Sequence, residues 1–291
     1  MNATAYRLGP LVFPRPLVVC ASAAGYGVAL AALILIAVGQ GGLGYDVHAY
    51  WLAGRHILDG APLYSVEPIT TYGAFRYPPL FAQLAAPFAL LPEPVFSWLW
   101  RIVCVGALRY LAGSWLAMGL WLLVPFTLTE LSSANVTFPV AAATLMAFRG
   151  GAALLPAAAL LKFGPILALP YLWLARPECR RDLVIGAATI SAFAVISVLL
   201  DPGAWAGYIQ SLGYGGGYAL DDRDLLRILP QALPDFALRF GLGVVLTAVA
   251  LRYRADWLAY AATIVAAPIL WMSRLVPLLA ALRLPGTRFR G

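Results

Sequence analysis

Residues Leu17 to Val38 read LVVCASAAGYGVALAALILIAV, an apolar run without a single charge. A helix needs about 20 such residues to cross a hydrocarbon core about 30 Å thick, so this run alone predicts a membrane span. Arg7 and Arg15 precede it, as they would in a signal peptide. The run is too long for a signal-peptide core and continues well past the small residues at 21–24, which predicts an uncleaved first helix.

The rest of the chain follows the same pattern. Of 291 residues, 62% are apolar and 11% charged, against about a quarter charged in soluble domains. A soluble globular protein is excluded, and the apolar content suffices for about eight to ten spans, of which about nine to ten are expected. Further apolar runs fall at 77–92, 95–109, 111–129, 134–148, 152–174, 182–200, 236–251 and 256–272, with a short one at 275–284. The expected fold is an all-α polytopic membrane protein. It forms a single integral domain over 1–291, with two long outer loops at 39–79 and 201–235.

The net charge of +7 would suggest nucleic acid in a soluble protein. Here the basic residues punctuate apolar runs, so they are expected to set topology, and no nucleic-acid partner is expected. With the N-terminus inside, alternation brings Arg176, Arg180 and Arg181, then Arg252 and Arg254, then Arg283, Arg288 and Arg290 to the cytoplasmic side. The two long loops then face outward. Arg55, Arg76, Arg223 and Arg227 lie in them, where long loops weigh little in the rule.

Three cysteines make no disulfide framework, CxxC pair or zinc spacing. No HExxH, clustered histidines, GxSxG elbow or P-loop occurs, so zinc hydrolysis, serine hydrolysis and nucleotide-driven transport lack their residues, and no metal or other cofactor is expected. The glycine-rich run from Gly213 to Tyr218 reads as an aromatic flap, and Asp221, Asp222 and Asp224 beside it as solvated.

The polar positions that remain are few. Asp46 follows Gly41, Gly42 and Gly44 at the mouth of the first helix, with His48, Tyr50 and Trp51 just after it. A carboxylate that loses hydration among rings gains basicity and suits proton abstraction; a helix N-cap is the alternative. In Phe75-Arg76-Tyr77-Pro78-Pro79-Leu80 the prolines enforce an extended approach and a clean helix start, fixing Arg76 and Tyr77 where the loop returns to the bilayer. Arg76 there can clamp a phosphate or snorkel to headgroups. Lys162, the only lysine, lies inside an apolar run, where an ammonium costs about 3 kcal/mol or more and calls for a polar partner. Glu130 and Asn135 mark another polar break, which a helix-end turn would also explain.

In order and spacing these pieces resemble a known family. Asp46, Tyr50-Trp51-Leu52-Ala53, Leu58 to Tyr64, Phe75 to Leu80 and Leu90-Leu91-Pro92 are similar to the polyprenol-phosphate-mannose-dependent mannosyltransferases of glycosyltransferase family 87, in the GT-C superfamily. Ser133-Ala134-Asn135 and Lys162 with Pro165 resemble two further signatures, and the likeness covers positions 40 to 175. It implies a GT-C-like bundle with a long first outer loop, and a polyprenyl-phosphate sugar, mannose by family habit, as donor. It further implies inverting transfer to a hydroxyl of a lipid or glycolipid acceptor on the outer face of a bacterial plasma membrane. In that resemblance Asp46 takes the place of the general base. Arg76 and Lys162 are the candidates for holding the departing phosphate, with Tyr77, His48, Tyr50 and Asn135 lining the substrate. The family carries a histidine after a tryptophan near the C-terminal helix mouth; here the stretch reads Pro268 to Arg274 without one, so Arg274 is the expected substitute cation. Two other readings are a non-catalytic relative that binds lipid-linked sugar or scaffolds a partner, and a transporter or flippase.

Overall fold

The structure is a computed structural model that describes residues 5–8, 11–38, 44–64, 74–214, 236–267 and 272–284. Outside the described residues lie the glycines before Leu43, most of the aromatic flap, Asp221, Asp222, Asp224, Arg223, Arg227, the segment 268–271, and the tail with Arg288 and Arg290. A short antiparallel ribbon opens the chain, β1 (Ala5–Leu8) paired with β2 (Leu11–Pro14). Everything after it is helical: α1 (Arg15–Val38), α2 (Tyr45–Asp59), α3 (Pro79–Ala85), α4 (Glu93–Ala112), α5 (Trp115–Leu122), α6 (Pro125–Ser133), α7 (Thr137–Ala147), α8 (Leu155–Leu161), α9 (Ala168–Ala175), α10 (Arg180–Leu200), α11 (Pro202–Tyr214), α12 (Phe236–Tyr253) and α13 (Asp256–Val265). The protein is thus an all-α polytopic membrane protein.

Among the described residues four helical stretches are long and apolar enough to cross a bilayer, namely 15–38, 93–112, 177–200 and 236–253. A fifth is reached if α5 and α6, bent by 95°, count as one span. That is fewer than the nine to ten expected, because several apolar runs turn back before they cross. The run 152–174 is a hairpin. A 3₁₀ turn at Ala152–Leu154 and α8 rise along α7; Lys162 then adopts extended backbone (φ −142°, ψ 136°) and ends the helix. Pro165, which has no N–H to continue a helix, opens the 3₁₀ turn Gly164–Leu167, from which α9 descends. Both roots of the hairpin sit at one end: Ala153 packs against Gly186 in the first half of α10, and Arg176 donates to the Phe148 carbonyl at 2.7 Å. Its tip touches the opposite end of α7, where Lys162 meets Thr137.

A second hairpin mirrors the first. The Asp256 end of α13 is paired with Arg176, and Thr263 near its other end lies against Gly164 at the first hairpin's tip. The 3₁₀ segment Met272–Arg283 then returns, held by Tyr260 donating to the Pro277 carbonyl at 3.3 Å and by Arg283 on the carbonyls of Tyr110 and Leu111 at the end of α4. The run 256–272 is therefore not one crossing.

Between the tips and the other end of the molecule lie α2 and α3. The α4 helix, 20 residues and so about 30 Å long, gives the scale. Arg101 and Cys104, near its middle, reach Ser132 and Asn135 at the α6–α7 turn, while Glu93 at its start meets His48 of α2. At that same end Tyr64 and Tyr208 are in ring contact, so the described parts of the loops 39–79 and 201–235 share one side, opposite Arg176, Arg180 and Arg254.

Candidate functional site

The α6–α7 turn is built to be held still. Ala134 adopts a left-handed conformation (φ 54°, ψ 46°), which turns the chain sharply. Side chains of α4 bind its carbonyls: Trp100 Nε1 donates to Ala134 at 2.8 Å, Arg101 Nη2 to Ser132 at 3.0 Å and Cys104 to Asn135 at 3.5 Å. Arg101 is itself fixed by Ser97 and lies over Trp98.

Gly44 lands on this turn. Its φ of 100° suits glycine, and a Cβ there would come within 2.6 Å of the Ser132 carbonyl and 2.8 Å of Arg101 Nη2. The close approach lets α2 start against the turn. Gly44 is the N-cap and no side chain caps the helix, so Asp46 sits in the first turn and is not the cap. Four residues on, Tyr50 is fully buried; its hydroxyl accepts from Val136 N–H at 3.3 Å and donates to the Tyr77 hydroxyl at 3.2 Å.

Three candidates separated by up to 116 positions in the chain, Asp46, Asn135 and Lys162, converge here. The Asn135 carbonyl oxygen Oδ1 accepts three donors, from Thr137 N–H at 3.1 Å, Thr137 Oγ1 at 2.9 Å and Lys162 Nζ at 2.8 Å. Lys162 also donates to Thr137 Oγ1 at 2.6 Å. With its oxygen saturated by donors, the amide presents its NH₂ to Asp46, whose carboxylate is hydrogen-bonded by Asn135 and Ser133. Burial is the largest influence on the Asp46 carboxyl and pushes its pKa above the ordinary aspartate value. The nearby charge of Glu130 pushes the same way, while Lys162 and the two hydrogen bonds oppose it. The outcome is a basic carboxylate, level with the middle of α4.

The other candidates are distributed around this cluster. Tyr77 packs edge-on to Tyr50 with ring centroids 5.4 Å apart, and its carbonyl takes the Tyr64 hydroxyl at 2.6 Å. Arg76, half-buried, precedes it at the entry to α3. His48 is bound to Glu93 of α4, Nδ1 to Oε1 at 2.7 Å. Arg274 falls on the returning 3₁₀ segment, and its side chain lies outside the described residues. Reading the sequence missed Ser133, Thr137 and Arg101 as site residues. Asn135-Val136-Thr137 carried the signal for one of them, since an Asn that accepts from the backbone two residues on is a turn-former. Arg101 had only its position in an apolar run to mark it. Among the described residues no three His, Cys, Asp or Glu side chains converge as metal ligands would.

No curated protein and no solved structure matches the chain. The model of glycosyltransferase family 87 matches residues 75–287, which takes in Arg76, Tyr77, Asn135, Lys162 and Arg274 and leaves α2 with Asp46, His48 and Tyr50 outside. With most of its length matched, the chain belongs to glycosyltransferase family 87 and is a membrane glycosyltransferase.

Proposed function

We propose that the protein transfers a sugar, mannose, from a polyprenyl-phosphate donor to a hydroxyl of a lipid or glycolipid acceptor, on the outer face of a bacterial plasma membrane. The observation that carries this reading is the meeting of Asp46 with Lys162 through Asn135. Transfer from a phosphate ester needs a base for the incoming hydroxyl and a cation for the departing phosphate, and little acid help, because phosphate is a good leaving group. In a single inverting displacement the acceptor oxygen bonds to the anomeric carbon and its proton passes to Asp46. The bond from that carbon to the phosphate oxygen breaks, and the phosphate leaves with the electron pair. Lys162 is the cation for it, with Arg76 and Arg274 as further holders. The placement of the cluster level with the middle of α4 fits a donor whose chain lies in the bilayer and whose phosphate must reach the reacting carbon.

The test is incubation of purified protein with radiolabelled polyprenyl-phosphate mannose and a lipid extract of the host, with polyprenyl-phosphate glucose as the competing donor. Label entering a new lipid from the mannose donor, and lost in Asp46→Asn, is the expected result. Donor binding without transfer in wild type points to a lipid-linked-sugar binding scaffold instead.

A further inference from the structure

Three arginines meet at the end of α4 opposite the His48–Glu93 pair, and the reaction above uses none of them. Arg109 stands in the last turn of α4, Arg149 follows α7, and Arg283 closes the segment Met272–Arg283. Arg283 donates to the carbonyls of Tyr110 and Leu111, to the second at 3.0 Å, and so satisfies groups that the end of α4 leaves open. Gly113 makes room for it, with φ of 81° and a position where a Cβ would come within 2.6 Å of Arg283 Cζ. Arg149 donates in turn to the Arg283 carbonyl at 3.3 Å. Arg109 lies over the Trp115 ring, 4.9 Å from its centroid, and among the described residues its buried Nε has no acceptor.

The three guanidiniums are close enough to act on one another. That of Arg283 is pushed below the ordinary arginine value by burial first, then by the charge of Arg149, and also by that of Arg109. Arginine keeps its proton at neutral pH, so three permanent cations share this corner. Among the described residues no carboxylate pairs with any of them, and Asp256 at the same end is taken by Arg176 and Tyr171. The ends of α4 and α7 offset part of the charge, but each carries only about half an elementary charge, about one against three. An anion is called for.

The surface leading away from Arg109 decides which anion fits. On α4 the spacing of positions 95, 99, 102, 106 and 109 puts them on one face, and Val95, Leu99, Ile102 and Gly106 on that face are exposed. A Cβ at Gly106 would meet nothing within 4 Å, so the track is open there. An apolar track about 20 Å long thus ends in a cluster of cations. Trp115 and Leu282, beside the arginines in the structure and in the chain, are exposed as well. A soluble anion would make no use of such a track, whereas an acyl chain would cover it. Basic pockets between membrane helices are suited to phospholipid headgroups for this reason.

We propose that Arg109, Arg149 and Arg283 form a binding site for the phosphate of an anionic membrane phospholipid, with an acyl chain lying along the exposed face of α4. Arg109 and Arg149 donate to the phosphate oxygens, as guanidinium forks do, while Arg283, committed to the α4 carbonyls through Nη1, adds its charge. The bound lipid ties together the ends of α4, α7 and the returning segment. The site is independent of Asp46 and of the transfer reaction.

The test is native mass spectrometry of the full chain in an uncharged detergent, titrated with phosphatidylglycerol, phosphatidylcholine and inorganic phosphate in separate arms, with the melting point read in parallel. Phosphatidylglycerol should stay bound and raise the melting point, and phosphatidylcholine, whose own cation already answers its phosphate, should bind more weakly. Arg109→Gln and Arg149→Gln should each weaken phosphatidylglycerol binding about fivefold, and the double variant about twenty-fivefold, the scale of one and two basic residues at an anionic lipid. Arg180→Gln removes an arginine from the same end but outside the cluster, and should change binding by less than about twofold. Undiminished binding in the double variant, or an equal loss in Arg180→Gln, overturns the proposal, since the lipid is then held by the general charge of this end. Inorganic phosphate that raises the melting point as much as the lipid does, and loses that effect in the double variant, overturns the lipid as occupant in favour of a soluble anion. If the double variant does not fold, Arg149→Gln alone decides, because Arg149 is exposed and donates only to the Arg283 carbonyl.

Discussion

Lys162 Nζ donates to Asn135 Oδ1 at 2.8 Å, joining the tip of one hairpin to the turn on which α2 rests. An ammonium in the middle of an apolar run is thereby given oxygen partners, and the same amide that holds it turns its NH₂ toward Asp46. One asparagine thus links a half-buried carboxyl to a cation.

Lys162→Met keeps the length and apolar stem of the side chain and removes the charge. It also strips Asn135 Oδ1 and Thr137 Oγ1 of a donor they share. Transfer should fall by roughly a hundredfold to a thousandfold, the scale of losing one electrostatic stabiliser of the departing group, with an intact bundle by size exclusion. Transfer within about threefold of wild type would free Lys162 from any part in holding phosphate.

Asp46→Asn should separate chemistry from stability. An amide cannot accept the proton, so transfer should drop on the order of a hundredfold to ten-thousandfold. Stability should move the other way. The folded-state pKa of Asp46 is raised above its unfolded value, so the ionised carboxylate weakens the fold above the folded-state pKa, and stability returns as pH falls through it. The variant should therefore melt no lower than wild type at neutral pH and lose that part of the pH dependence. In wild type the acid limb of the rate profile should lie above the range of an ordinary aspartate, since only the ionised form is a base. A melting point that falls together with activity would make Asp46 a structural residue.

Gly44→Ala tests whether α2 must sit where it does. The new Cβ would meet the Ser132 carbonyl and Arg101, and φ of 100° strains any L-residue, a cost on the order of 1–3 kcal/mol. Gly60 also has positive φ, 68°, but a Cβ there meets nothing. Gly44→Ala should depress transfer far more than Gly60→Ala, with both proteins folded. Equal effects would separate the seating of α2 from the reaction.

The long spans were legible from sequence because α1, α4, α10 and α12 are apolar over their full length with few charges to interrupt them. The hairpins were not. Hydropathy records what surrounds a residue and not the direction of the chain, so 152–174 reads as one crossing even though the chain reverses at Lys162. Pro165 and a cation inside an apolar run were the visible signs of that reversal. Asp46, Asn135 and Lys162 could be picked singly, because each is a polar group in an apolar setting. Glu130 was marked only as a polar break, since the Asp46 carboxyl on which its charge acts comes from a helix 84 positions earlier in the chain, which no local pattern reveals.

The roots of the two hairpins give a further test. Asp256 accepts from the Tyr171 hydroxyl at 2.8 Å and pairs with Arg176, which also holds the Phe148 carbonyl. Asp256→Ala leaves Arg176 without its carboxylate in a largely buried setting, at a cost of about 3 kcal/mol. The melting point should fall, while donor binding measured well below the transition should persist, because this network lies at the far end of the hairpins from Lys162. Loss of donor binding by a folded variant would mean the hairpin tips depend on their roots.

Sidedness is the last expectation to be tested, and the structure narrows where to probe. Asp59 and Arg180 are both exposed and lie at opposite ends, the first at the close of α2, the second at the start of α10. Replacing Asp59 breaks only an exposed contact with Arg55, which is worth little. Of the native cysteines, Cys104 and Cys179 are buried and Cys20 is exposed on α1, so Cys20→Ala provides a quiet background. In intact cells an impermeant thiol reagent should label Asp59→Cys and spare Arg180→Cys, with both labelled after lysis. The arginines at 176, 180 and 181 should stay inside because basic residues in short loops resist translocation. Labelling at 180 alone would turn the molecule over and put the Asp46 side of the bundle in the cytoplasm, where an acceptor would have to be sought among inner-leaflet lipids.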